Sequence, residues 1–343
     1  MTVMRLRNLL CAGSVAGAFL FPAAVLAEGD VNLYTTREPG LIQPLIDVFT
    51  KETGITVNTV FVKDGLPERV AAEGANSPAD VLMTVDIGGL VDLKEKGVTQ
   101  PIESAVLDAA VPENLRDPDG HWYTLSMRAR VLYVDKNLDL EEFTYEQLAD
   151  PAWKGKVCIR SGQHPYNVAL IAAYIAHHGK EAAKTWLEGV KANVARQPGG
   201  GDRDVARDIL GGICQIGPAN SYYVGLMRSG AGGPEQVEWG NAIKVVIPTF
   251  AQGGTHVNVS GAALAKNAPN KDNAVEFLEF LASDEAQELY AKANFEYPVK
   301  AGAVVDPIIA DLGELGPDNL ALTEIAAHRK VASQLVDEVG FDN

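Results

Sequence analysis

The stretch VNLYTTREPGLIQPLIDVFTKETGITVNTVFV, residues 31–62, decides the fold. Val31–Tyr34 predicts a short strand. Leu41–Thr53 predicts an amphipathic helix closed by Gly54, and Ile55–Val62 alternates as a second strand. The rhythm continues outward. Leu66–Glu73 reads as a helix, Val81–Val85 as a strand, and Gly89–Lys96 as a helix ended by Gly97. Repeated strand–helix–strand units predict an α/β fold, a sheet covered by helices.

The pattern restarts after Arg130. Val131–Val134 and Val157–Arg160 read as strands, with a short helix beginning at Thr144–Leu148 between them. A helix runs from near Tyr166 to His178, and Lys180–Lys191 and Arg203–Leu210 follow as helices. Ile213–Ile216 reads as a strand leading to a helix at Tyr222–Arg228. Ile243–Pro248 is a strand, Asp272–Ala282 a helix, and a last helical stretch covers about Leu320–Val336. Ser283 or Asp284 caps the helix that precedes that stretch.

Residues 1–27 carry Arg5 and Arg7, an apolar run from Leu9 to Leu20, and Val25-Leu26-Ala27 before Glu28. That is the pattern of an export signal cleaved after Ala27. Cys11 stands too early in it to be a lipid-anchor site. Cleavage leaves 316 residues, enough for two domains, and takes the formal charge from −16 to −18 because only Arg5 and Arg7 are lost. So acidic a surface argues against nucleic-acid binding and favours cations over anions. Cys158 and Cys214 remain, an even pair that in an exported chain reads as one disulfide. The bridge joins the segments eight residues ahead of Tyr166 and Tyr222.

Tyrosine is sparse, ten residues in all, yet Tyr222 and Tyr223 are adjacent and Tyr166 stands before a helix. Three phenolates offer three negative charges on hard oxygen. That set suits a hard trivalent cation better than zinc or copper, which favour imidazole and thiolate. A phenol with a pKa near 10 ligates only after a metal displaces its proton, which ferric iron can do. An octahedral ion would still need a small anion. Arg37, Arg128 and Arg130 are the candidate anchors, because a planar guanidinium matches carbonate bidentately. Plainer readings stay open: the tyrosines as core or helix-start aromatics, Arg128 and Arg130 as residues flanking a strand, and Glu38 as a helix-start acid instead of an oxygen ligand.

Other motifs are weaker. Gly199-Gly200-Gly201-Asp202 lacks phosphate-loop spacing and reads as a turn. His177-His178-Gly179 reads as a helix end, and His256 has no partner at zinc spacing. No nucleophile–base pair or serine elbow is evident, so an enzyme is not expected. A rival keeps the transport role but changes the cargo to an oxyanion, a phosphonate or sulfate, seated on the arginines.

Seven ordered stretches carry a resemblance: VNLY 31–34, NSPADVLMTVD 76–86, LRDPDGHW 115–122, GGDRD 200–204, NSYY 220–223, GTHVNVSG 254–261 and EYPV 296–299. On these the chain resembles the periplasmic ferric-iron-binding proteins of ABC importers, from residue 31 to the C-terminus. The resemblance implies a two-domain class II periplasmic-binding fold with the ligand cleft between lobes. It places crossovers near Arg128 and Phe250. One lobe would be 28–127 plus about 250–300, the other 128–249 plus about 301–343. Fe³⁺ would be held by Tyr166, Tyr222 and Tyr223, with a synergistic carbonate or bicarbonate on Arg37 and Arg128, and delivered by a monomer to an inner-membrane permease. Many relatives carry His-Tyr after the first arginine, where this chain has Glu38-Pro39. The chain is thus similar to the three-tyrosine branch, with an exogenous anion or water completing the shell.

Overall fold

A computed structural model describes residues 29–343. The expected export segment, its cleavage point after Ala27 and Cys11 lie outside the described residues. Among the described residues there are nine strands: β1 Val31–Thr35, β2 Val57–Phe61, β3 Val81–Thr84, β4 Thr99–Gln100, β5 Trp122–Asp135, β6 Ile216–Asn220, β7 Ile243–Val246, β8 Val257–Ala265 and β9 Tyr297–Pro298. The first sheet runs β2-β1-β3-β8-β5. Its opening βαβα units make β1 parallel to β2 and β3, as the apolar rhythm from Val31 onward predicts, while β8 returns antiparallel to β3.

β5 belongs to two sheets. Its first part, Trp122–Ala129, pairs with β8, and its second part, Arg130–Val134, pairs with β6. β7 pairs with the far side of that second part. The chain therefore passes between sheets at Ala129–Arg130, and returns between Val246 and Val257. All of Trp122–Val134 is buried, as a strand covered on both faces requires. Ser126, Arg128 and Arg130 alternate along one face of β5, so three polar side chains fall on one side of the crossing.

Several expected boundaries move. The strand expected at Val131–Val134 is the end of β5. The strand expected at Ile213–Ile216 lies later, at Ile216–Asn220, because Gly217-Pro218 reads locally as a breaker. Gly217 is needed there: a Cβ would stand 2.1 Å from the Cys158 carbonyl oxygen. Val157–Arg160 makes only isolated bridges, at Val157. The final helical stretch is two helices, Leu322–Ala327 and Arg329–Val339, parted at His328. The disulfide Cys158–Cys214 is formed, with an S–S distance of 2.00 Å, and Cys158 N donates to Ile216 O at 2.9 Å beside it.

Candidate metal centre

Tyr166 is the second residue of the helix Pro165–His178. Pro165 takes the first helical position, where a missing N–H costs nothing, and His164 Nδ1 accepts from Tyr166 N at 3.2 Å. Tyr222 and Tyr223 open the helix Tyr222–Arg228 directly after β6. The Tyr222 junction lies where β6 hands over to a helix N-terminus, the usual ligand edge of an α/β sheet, while the Tyr166 helix follows the Val157–Arg160 segment, which bridges β6 only at Val157.

Buried Arg130 locks the two junctions together. Its Nη2 donates to Asn167 Oδ1 at 2.7 Å, and its Nη1 donates to Asn220 Oδ1 at 3.1 Å and Asp202 Oδ2 at 2.6 Å. Asn167 follows Tyr166, and Asn220 precedes the tyrosine doublet. Asp202 also accepts from Asn220 N at 2.8 Å and from Arg160 Nη1 at 3.2 Å. The result brings Tyr166 Oη to 3.4 Å from Tyr222 Oη across 56 residues of sequence. The rings of Tyr222 and Tyr223 lie 4.1 Å apart.

Guanidinium groups surround the phenols. Arg128 Cζ is 5.4 Å and Arg160 Cζ 5.2 Å from the Tyr166 ring centre, and Arg203 Cζ is 5.6 Å from that of Tyr223. Burial, then the neighbouring phenols of Tyr166 and Tyr223, push the Tyr222 hydroxyl well above its ordinary pKa, against the pull of Arg128. Burial and Tyr166 raise Tyr223 in the same way. A proton on these oxygens is held firmly until a strong Lewis acid displaces it.

A cavity of about 230 Å³ opens over Tyr166 and Tyr222, with Arg37, Glu38, Arg128 and Glu296 in its wall. Arg37 is buried, and its Nη2 reaches Glu296 Oε1 at 3.0 Å and Ser260 Oγ at 2.5 Å, while Nη1 reaches Asn294 Oδ1 at 3.0 Å. Arg128 Nη1 donates to Ser260 Oγ at 3.0 Å and stands 3.9 Å from Glu296. Ser126 Oγ donates to Glu296 Oε2. Burial alone would raise the Glu296 carboxyl, but Arg37 and then Arg128 outweigh it and hold it below the ordinary carboxylate range. The Nε–H groups of Arg37 and Arg128 are buried with no protein partner, so each guanidinium keeps a donor free.

The structure thus brings Tyr166, Tyr222, Arg37 and Arg128 to one cavity, while Tyr223 packs its ring against Tyr222 and does not line that cavity. Glu38 lines the same cavity, exposed and with no side-chain cap bond to its helix. Arg130 does not reach the cavity; its two terminal nitrogens are committed to Asp202, Asn220 and Asn167 beneath the phenols. His177 and His178 end their helix and pair with Asp318 and Glu146 at 2.9 and 2.8 Å. Sequence reasoning missed Glu296, Asn294 and Ser260, which hold the arginines, and Asp202, which holds the layer below. Glu296 lies 259 residues from Arg37, and only the EYPV stretch marks it.

Two sheets joined by strands that cross between them, with a polar cavity at the crossing, define a two-lobe solute-binding protein. The chain belongs to the bacterial extracellular solute-binding proteins: the family model of that description matches residues 76–311. It is 42% identical to iron uptake protein A2 of Synechocystis over 91% of this chain and 90% of that protein. It is also similar to the solved Bordetella ferric binding protein, at 66% identity and a TM-score of 0.89, covering 92% of this chain and 100% of the other. The Mannheimia haemolytica ferric iron-binding protein A, solved in an open conformation, matches at 45% identity and a TM-score of 0.87, covering 92% and 99%. Such proteins bind a solute and do not transform it, and this chain is no enzyme.

Proposed function

We propose that this chain captures Fe³⁺ in the periplasm and passes it to an inner-membrane ABC permease. Tyr166, Tyr222 and Tyr223 are the ligands. Arg37 and Arg128 would hold a carbonate or bicarbonate through the donors their protein contacts leave free. The single observation that carries the reading is the 3.4 Å approach of Tyr166 Oη to Tyr222 Oη, beside two buried guanidiniums. The names of the relatives, ferric binding and iron uptake proteins, support the same cargo. The lobes are 28–127 with about 250–300, and 128–249 with about 301–343, and they close over the metal.

Glu296 already offsets one of the two cavity arginines, so roughly one positive charge remains for an anion. That supports a small anion shared with the metal over a free phosphonate or sulfate dianion. Protons compete with iron for the phenolic oxygens, so acidification weakens binding. Ferric citrate added to metal-free protein is expected to raise a visible phenolate-to-iron band, absent in Tyr222→Phe. An unchanged band in that variant counts against the ligand assignment. Calorimetric binding of phosphate or sulfate to metal-free protein would favour the oxyanion cargo instead.

A further inference from the structure

Among the described residues, Phe295 is the one non-glycine residue with a positive φ, at φ 56° and ψ 29°. It follows the helix Asp284–Asn294, and its amide donates to Ala291 O at 2.8 Å. A bulky residue in the left-handed region is strained, and such strain persists where the surroundings over-determine it. The residues on either side are Asn294 and Glu296, and both bond Arg37.

The ring of Phe295 lies against Gly225. A Cβ built on Gly225 would stand 2.2 Å from Phe295 Cγ and 2.5 Å from Phe295 Cβ. Gly225 is buried in the helix that Tyr222 and Tyr223 open, one turn after Tyr222. Its φ is not positive, so glycine supplies room there and not a special backbone conformation. The two partners come from different sheets. Phe295 stands two residues before β9, which with Tyr297–Pro298 joins the first-sheet part of β5 at Ser126–Met127, while Gly225 follows β6 of the second sheet.

We infer that Phe295 is a positioning residue, through which the approach of the tyrosine helix fixes Arg37 for the anion. When the helix arrives, its bare turn at Gly225 seats the aromatic ring. The seated ring holds the left-handed turn, and that turn keeps Asn294 and Glu296 on the guanidinium of Arg37. The inference rests on the iron reading above and goes beyond it, because Phe295 touches neither metal nor anion in that reading.

The test compares ferric-loaded wild type with Gly225→Ala, Phe295→Gly and the double variant, following iron loss to excess EDTA by the visible band. Gly225→Ala is expected to lose iron about tenfold faster, because the methyl group displaces the ring. Phe295→Gly takes the left-handed turn without strain, so it folds; it should lose iron faster and need more bicarbonate for loading. In the double variant the methyl group should add nothing, since the ring it would strike is gone. Rates for both single variants within about twofold of wild type, or equal effects of the methyl group with and without the ring, would overturn the inference. If Gly225→Ala fails to fold, an unchanged rate and bicarbonate requirement in Phe295→Gly overturns it alone. A wild type that develops no band refutes the iron reading and this inference with it, whereas a normal band in wild type with unaffected variants refutes only the role of Phe295.

Discussion

Glu296 is the residue on which the cavity turns. Two guanidiniums and one carboxylate share a space that excludes most water, and each is stable there only because the others are present. Replacing Glu296 by alanine leaves Arg37 and Arg128 buried without their counter-charge. The metal-free variant is expected to be less stable by about 3–5 kcal/mol in urea unfolding. A loss within about 0.5 kcal/mol would mean that the arginines find solvent. The phenols behave differently. Tyr166→Phe removes one oxygen from a half-buried ring, so the metal-free unfolding midpoint should barely move while the visible ferric band is lost; a normal band would remove Tyr166 from the ligand set. The sequence shows Tyr166, Tyr222 and Tyr223 because an adjacent phenol pair among few tyrosines stands out by type. It hides Glu296, one of 45 acidic residues with no local mark of burial.

At the scale of elements, β5 sets the geometry. A single strand spanning two sheets keeps Arg128 over the cavity and Arg130 in the layer beneath the phenols, two residues apart on one face. Local pattern sees only Val131–Val134, since Arg128 and Arg130 interrupt the apolar run that burial would otherwise announce. The helices at Pro165 and Tyr222 are legible from their strand-to-helix order. Their meeting is not, because it depends on Arg130, Asn167, Asp202 and Asn220 finding one another. The Cys158–Cys214 bridge ties the same two segments across 56 residues. In the chain-entropy picture a loop of that size is worth about 4 kcal/mol. Reduction with dithiothreitol is therefore expected to lower the urea midpoint of the metal-free protein and to weaken iron retention. Equal midpoints for the oxidised and reduced forms would show that the Arg130 layer holds the segments unaided.

The molecule as a whole carries a pH response apart from the phenols. Burial, with Arg160 adding to it, lowers His164 from 6.5 to about 4. Burial, with Arg130 adding to it, takes His256 from 6.5 to about 3, and neither ring nitrogen of His256 has a protein partner. Both imidazoles are neutral in the folded state and bind a proton more readily once unfolded. Their contribution is complete above about pH 6.5 and is lost as pH falls toward about 4 for His164 and about 3 for His256. Metal-free stability should decline across that window, and His256→Asn should flatten the decline; a level profile would contradict the neutral burial of both residues. The second crossing, which passes His256, is visible in the sequence only through the GTHVNVSG stretch, since the loop before it has no periodicity. The recurrence of strand–helix units on either side of Arg130 shows only the α/β class; the two-lobe plan comes from the resemblance carried by the seven stretches.

Anomalous diffraction at the iron edge, from crystals of ferric-loaded protein, tests the three-phenol centre most directly. A single strong peak is expected within bonding distance of the Tyr166, Tyr222 and Tyr223 oxygens, on the side facing Arg37 and Arg128. A peak bonded to the doublet but remote from Tyr166, or one away from all three, would contradict it.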